Sequence, residues 1–183
     1  MNSPSGTVLL GVTGGIAAYK AADLTSRMRQ KGLNVIVVMT RSARKFIAPL
    51  TFEYLSNRPV ITDLFEKAGG CDSDHVSVSD AADVAVIAPA TANVIGKIAN
   101  GIADDALTTI IVAFPKPLII APAMNEKMYK SPAVQENLRR LHERGVTQIG
   151  PATGWLACGV EGIGRMAGVP DILEAVLNAL PKR

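Results

Sequence analysis

The sequence predicts an α/β fold: one doubly wound domain over residues 1–183, with a parallel sheet and helices on both faces. Three observations predict it. Short apolar runs alternate with segments of helical spacing along the whole chain. The apolar runs are continuous rather than alternating, as in strands buried on both sides. The breaks between them are short and rich in Gly, Pro, Ser and Asn, with no linker, internal repeat or low-complexity tract.

Each element has its own signal. Residues 7–12 form a first apolar strand, broken by Thr13-Gly14-Gly15. Residues 16–31 follow at helical spacing, with Ala17, Ala21, Leu24 and Met28 on one face and Gly32 as the stop. Residues 34–39 are the second strand, ended by Thr40-Arg41-Ser42. Short helical stretches follow at 43–46 and 50–56, and residues 60–65 are expected to be extended. Residues 66–74 are polar and read as a loop. Residues 75–79 alternate apolar and polar from His75 onward, an extended pattern. Residues 83–88 are the third strand. Helices are expected at 94–99 and 104–114, a fourth strand at 118–121, and a helix at 131–144 ended by Gly145. Residues 147–149 form a fifth strand, 151–168 a long loop without periodicity, and 170–180 a closing helix.

Composition narrows the function. Apolar residues make up 48% and charged residues 19%, which suits a packed globular chain. Lys and Arg are scattered and the net charge is only +3, while aromatics are 4%, so neither a phosphate-tracking surface nor a base-stacking one is expected. No apolar run reaches membrane-spanning length, and the first residues lack a signal-peptide pattern. A cytoplasmic protein with no nucleic-acid or membrane partner is expected. Cys71 and Cys158 are too few and too far apart for a metal site, and none is expected.

In a doubly wound sheet, ligands bind at the carboxyl ends of the strands. Thr13-Gly14-Gly15 feeds a helix N-terminus, either an anion site or a plain tight turn. Its spacing departs from the dinucleotide fingerprint, and the second strand ends in Thr40-Arg41-Ser42 where such a site wants an acidic residue. A mononucleotide fits better than NAD. Thr40, Arg41 and Ser42 are phosphate ligands or the cap of the next helix. Pro89-Ala90-Thr91-Ala92-Asn93 combines small residues, which let a flat ring approach, with hydrogen-bonding groups; Thr91 also suits an N-cap. Asn125, in Pro122-Ala123-Met124-Asn125-Glu126-Lys127-Met128, offers a neutral, two-sided polar group after the fourth strand. It is a ligand for a carboxylate or a helix cap. His75 is a general base or a structural residue, whereas His142 lies in a charged helix face. Cys158, between Ala157 and Gly159, suits a proton donor or nucleophile.

Four ordered segments carry a resemblance: Gly11 to Lys20, Pro89 to Asn93, Pro122 to Met128 and Leu156 to Gly159. Together they resemble the homo-oligomeric flavin-containing cysteine decarboxylases, and within them the phosphopantothenoylcysteine decarboxylases, over nearly the whole chain. The resemblance implies a Rossmann-like, flavodoxin-like domain that binds FMN. It implies that Gly14, Gly15, Thr40, Ser42, Ala90, Thr91, Ala92 and Asn93 contact FMN, with Phe46 and Ala123 at its border. It implies that Asn125, Met128, Ala157 and Arg165 bind substrate, and that His75, Asn125 and Cys158 are catalytic. The chemistry it implies begins with oxidation of the substrate's cysteine thiol to a thioaldehyde, which gives the departing carboxylate's electrons a place to go. Reduction of the resulting enethiolate follows, with a proton from Cys158.

The branch of this family that acts on peptides stops at the enethiol and lacks that cysteine; some relatives only bind flavin as regulatory subunits. Tyr129 stands where the family often has Trp, and the arginine-rich signatures of flavin prenyltransferases are absent. The resemblance further implies trimers or dodecamers with FMN at subunit contacts, and a phosphopantothenate-cysteine ligase domain as a possible companion.

Overall fold

A computed structural model describes residues 6–64, 75–155, 159 and 161–181. The expected loop at 66–74 with Cys71, and the positions Ala157 and Cys158, lie outside the described residues.

The apolar runs form a single parallel sheet. Its strands are β1 (Thr7–Val12), β2 (Asn34–Met39), β3 (Val84–Ala90), β4 (Leu118–Pro122) and the short β5 (Thr147–Gln148), in the order β2-β1-β3-β4-β5. This is the flavodoxin-like order, whose direction of winding reverses between β1 and β3. Side chains alternate between two cores, as a period of two requires. Leu10, Val12, Val37, Met39 and Val86 face a core shared with α1 (Ala18–Gln30), α2 (Pro49–Ser56) and α8 (Val169–Ala179). Leu9, Val38, Ile87 and Ile120 face the other, beneath α3 (His75–Ala81), α4 (Ala92–Ala99), α5 (Ala106–Val112) and α7 (Pro132–Glu143). Phe52 of α2 is fully buried, and a side chain of that size contributes about 2–3 kcal/mol on burial.

The helix starts follow from their caps. The Thr91 hydroxyl accepts the Val94 N–H at the head of α4. Asp105 and Thr108 form a reciprocal capping box, so α5 begins at Ala106 rather than at 104. Gly32, at φ +77°, follows the last turn of α1. None of the described helices is long and apolar enough to cross a membrane.

Three local expectations give way. Residues 60–64 add only one residue to the sheet edge, where Ile61 bridges Val38. The stretch from His75 is helix α3, not extended. A five-residue alternation also fits one helical turn and a half; here Val78 and Ala82 pack four apart into the core, and Ser79 Oγ donates to the Ala113 carbonyl at 2.9 Å. The long segment after β5 holds an antiparallel hairpin of β6 (Ala152–Trp155) and β7 (Glu161–Arg165). Its glycines hid it, because they carry neither apolar character nor strand propensity.

Candidate functional site

The carboxyl ends of β1 and β3 are tied together. The buried Thr13 hydroxyl donates to the Pro89 carbonyl at 2.6 Å and accepts the Thr91 N–H at 3.2 Å. The next strand end joins through Ala123 N–H to the Ala90 carbonyl at 3.0 Å. The turn after β1 presses on the turn after β2. A Cβ on Gly14 would lie 2.3 Å from the Ser42 Cβ and 2.9 Å from its carbonyl carbon, so only glycine fits there.

Above these ends opens a cavity of about 820 Å³, within the range of small-molecule sites. Gly14, Gly15, Thr40 and Ser42 line one side, and Thr91, Ala92 and Asn93 another. Ala123, Asn125 and Met128 close a third side, with Arg165 reaching in from the hairpin. The turn before α1 and its first residues, Gly14 to Ala17, Tyr19 and Lys20, border this space, where the dipole of the helix start favours negative charge. The chemistry on offer is an anion site beside a low, small-residue surface suited to a flat ring.

Asn125 is a helix cap that also borders the cavity. Its Oδ1 accepts the Lys127 N–H at 2.8 Å and so caps the short helix α6 (Glu126–Tyr129), while the residue lines the cavity. With Oδ1 committed to the backbone, the donor end of the carboxamide is the one suited to a carboxylate. The hairpin docks directly on this segment. Met124 N–H donates to the Gly164 carbonyl at 2.9 Å. Gly164 has φ +142°, and a Cβ there would meet the Met124 carbonyl oxygen at 2.1 Å. Glu126 accepts from the Ile163 N–H and pairs with Lys130 at 2.8 Å. Chiefly through Lys130, these contacts hold its carboxyl below the usual range.

Several expected residues lie elsewhere. Ala90 is fully buried in the α4–α5 core and does not line the cavity; its carbonyl positions Ala123 instead. Phe46 is half exposed, just after a 3₁₀ turn at Ala43–Lys45, and is also off the cavity wall. His75 does not line the cavity either. It opens α3, which packs on α5, and α5 in turn packs on α4, the helix that borders the cavity. Tyr129 keeps its ring against the α7-side core, with its hydroxyl 3.5 Å from Gln148 Nε2.

The cavity also takes in Arg41, from the segment read as a phosphate ligand, together with Tyr19 and Lys20, which lie in the first resembling segment without an assigned role, and Lys97 and Asp105, which no motif marks. Lys97 sits one helical turn after Asn93, a spacing that marks the same helix face. It bridges Asp104 at 2.6 Å and Asp105 at 3.3 Å, and the Asp104 hydrogen bond leads in raising its pKa.

Gly14→Ala tests the packing of the two turns. Forcing a Cβ against the Ser42 backbone costs about 2–3 kcal/mol, a fall in Tm of roughly 5–10 °C for a chain of this length. Thermal denaturation measures it, and an unchanged Tm contradicts the close approach.

A parallel, doubly wound sheet with its cavity at the winding reversal, and no acidic residue at the end of β2, defines a mononucleotide-binding protein of the flavodoxin-like class. Residues 1–180 match the Flavoprotein family, and the chain belongs to it. The chain is 51% identical over 167 residues to the coenzyme A biosynthesis bifunctional protein CoaBC of Bacillus subtilis, covering 91% of this chain and 41% of that protein. The CoaBC of Escherichia coli is 43% identical over 159 residues, covering 87% of this chain and 39% of that protein. The chain thus spans about two fifths of the length of these relatives. Among solved structures, a PPC decarboxylase with a cysteine-to-serine change, complexed with pantothenoylaminoethenethiol, superposes with a TM-score of 0.84. It is 36% identical, over 94% of this chain and 97% of that one. The FMN-dependent cysteine decarboxylase SpaF gives a TM-score of 0.81 at 33% identity, over 96% of this chain and 98% of that one.

Proposed function

We propose that the chain is an FMN-dependent decarboxylase of 4′-phospho-N-pantothenoylcysteine, acting in coenzyme A biosynthesis and yielding CO₂ and 4′-phosphopantetheine. One observation carries this reading. The anion-type turn, the small-residue wall and the Asn125 segment line a single cavity in a chain that resembles PPC decarboxylase over nearly its full length.

The residues fit FMN. Gly14, in the turn before α1, and the Thr40 and Ser42 hydroxyls are donors suited to its phosphate, and the positive end of the helix dipole lies beside them. Gly15, Ala92 and Ala123 keep the wall low enough for the ring, and a Cβ on Gly15 would meet only Thr91 Cγ2, at 3.6 Å. When bound, FMN supplies the two-electron oxidation and the later reduction, neither of which a side chain can perform.

The chain's own residues supply the rest. Asn125 orients the substrate carboxylate through a neutral donor, which holds it without the charge that would keep it from leaving. Met124 and Met128 border the same space and thin out its water. Cys158, at the position the resemblance assigns, gives the final proton; its presence favours the saturated product over an enethiol released as such. Trimers or larger assemblies set FMN at subunit contacts, which gives His75 a route to the site that a single chain does not. The ligase half of the bifunctional relatives is the natural companion activity, and the cytoplasm the natural location.

The test is the purified protein's absorption spectrum followed by turnover. A flavin band and CO₂ release from 4′-phosphopantothenoylcysteine are expected. A colourless protein that gains no flavin band on addition of FMN contradicts the reading.

A further inference from the structure

Lys20 and Arg165 line the same cavity from elements far apart in sequence, the first turn of α1 and the end of β7. Among the described residues, neither has a carboxylate partner, whereas Lys97 on the same wall is held by Asp104 and Asp105. Lys20 is half-buried, and burial, then the charge of Arg165, pushes its pKa down. Lys20 is therefore set near a like charge with no carboxylate paired to either among the described residues, an arrangement that disfavours its cation until an anion arrives.

The geometry of Arg165 is supported from across the hairpin. A Cβ on Gly154 would lie 3.3 Å from Arg165 Nη1 and 3.6 Å from its Cδ, so the bare glycine leaves room for the arginine stem to lie along β6. Arg165 also follows Gly164, the residue hydrogen-bonded to Met124 beside Asn125. Arg165 is thus joined through its strand to the substrate side of the cavity, while Arg41, Thr40 and Ser42 stand at the turn proposed for the cofactor. Tyr19 and Trp155, 61% and 71% exposed, line the cavity with them and offer apolar surface for a chain running away from the phosphate.

We propose that Lys20 and Arg165 form a subsite for the phosphate monoester at the far end of the substrate, and so set the preference for a phosphorylated over an unphosphorylated pantothenoyl chain. A phosphate dianion matches two converging cations, the planar fork of Arg and the point charge of Lys. This proposal rests on the decarboxylase reading, and the two are tested by different readouts.

CO₂ release by the wild type judges the decarboxylase reading alone. The subsite is judged by equilibrium binding, with no turnover, of 4′-phosphopantetheine and pantetheine to the full chain loaded with FMN. The wild type is expected to prefer the phosphorylated ligand by at least about 30-fold. Lys20→Gln and Arg165→Gln are each expected to cut that preference about tenfold, with pantetheine binding unchanged within about twofold and Lys20→Arg restoring most of the loss. A parallel arm compares FMN with riboflavin on the apoprotein. Loss of the FMN preference, with the pantetheine pair unaffected, places the cofactor's phosphate at these residues and overturns the assignment. Equal weakening of both members of each pair, or no wild-type preference, overturns the subsite altogether.

Discussion

Asn125→Asp is expected to abolish turnover while leaving FMN bound and the fold intact. Asp caps a helix as well as Asn does, so the bond from the Lys127 N–H to the residue-125 side chain survives the change. What changes is the charge facing the substrate carboxylate. Two like charges about 4 Å apart, at an effective dielectric near 20, repel by about 4 kcal/mol. That is about a thousandfold in rate if the substrate must still be held there. Asn125→Ala separates the roles from the other side. It removes the cap as well, costing about 1 kcal/mol of stability, but adds no repulsion, so it is expected to retain more activity than the Asp variant. Steady-state CO₂ release and thermal denaturation read the two effects independently. Near-normal turnover by Asn125→Asp reduces the residue to a helix cap.

Cys158→Ser is expected to divide the reaction. A thiol loses its proton near pH 8.5, whereas a serine hydroxyl is far less acidic, so decarboxylation continues while protonation of the enethiolate stalls. In air, where O₂ reoxidises the reduced flavin, CO₂ release is expected to stay within a few fold of wild type and formation of the saturated thiol to fall by at least about 100-fold; without oxygen, release is expected to stop after about one CO₂ per flavin. Mass spectrometry of the products distinguishes the enethiol from 4′-phosphopantetheine. Equal loss of both steps removes the proton-donor role.

The fold was legible because β1, β2, β3 and β4 are unbroken apolar runs, and a strand buried on both faces leaves that mark whatever its partners are. The strand order is not written in any one of them; it follows from crossovers packing helices on both faces. The hairpin was not legible, since Gly154, Gly162 and Gly164 carry no periodicity. Their role appears only against Arg165, Glu126 and Met124, which lie across space.

The site divides in the same way. Turn residues such as Gly14, Thr91 and Asn125 announce themselves by type and place after a strand. Lys20 and Lys97 look like ordinary helix-surface cations until the sheet's strand ends bring them to one cavity. Ala90 matched a motif, yet its side chain serves the core, because the segment's small residues alternate between the cavity and the packing beneath it. His75 matched the resemblance, yet it opens α3, which packs on α5, and it does not line the cavity.

The most direct measurement is a single incubation of the FMN-loaded protein with 4′-phosphopantothenoylcysteine in the absence of oxygen and of any added reductant, with CO₂ and thiol products quantified together. The proposed chemistry borrows two electrons and returns them, so it predicts one CO₂ and one 4′-phosphopantetheine per substrate consumed over many turnovers. Absence of CO₂, or a burst that stops after one equivalent per flavin with the enethiol as product, contradicts it.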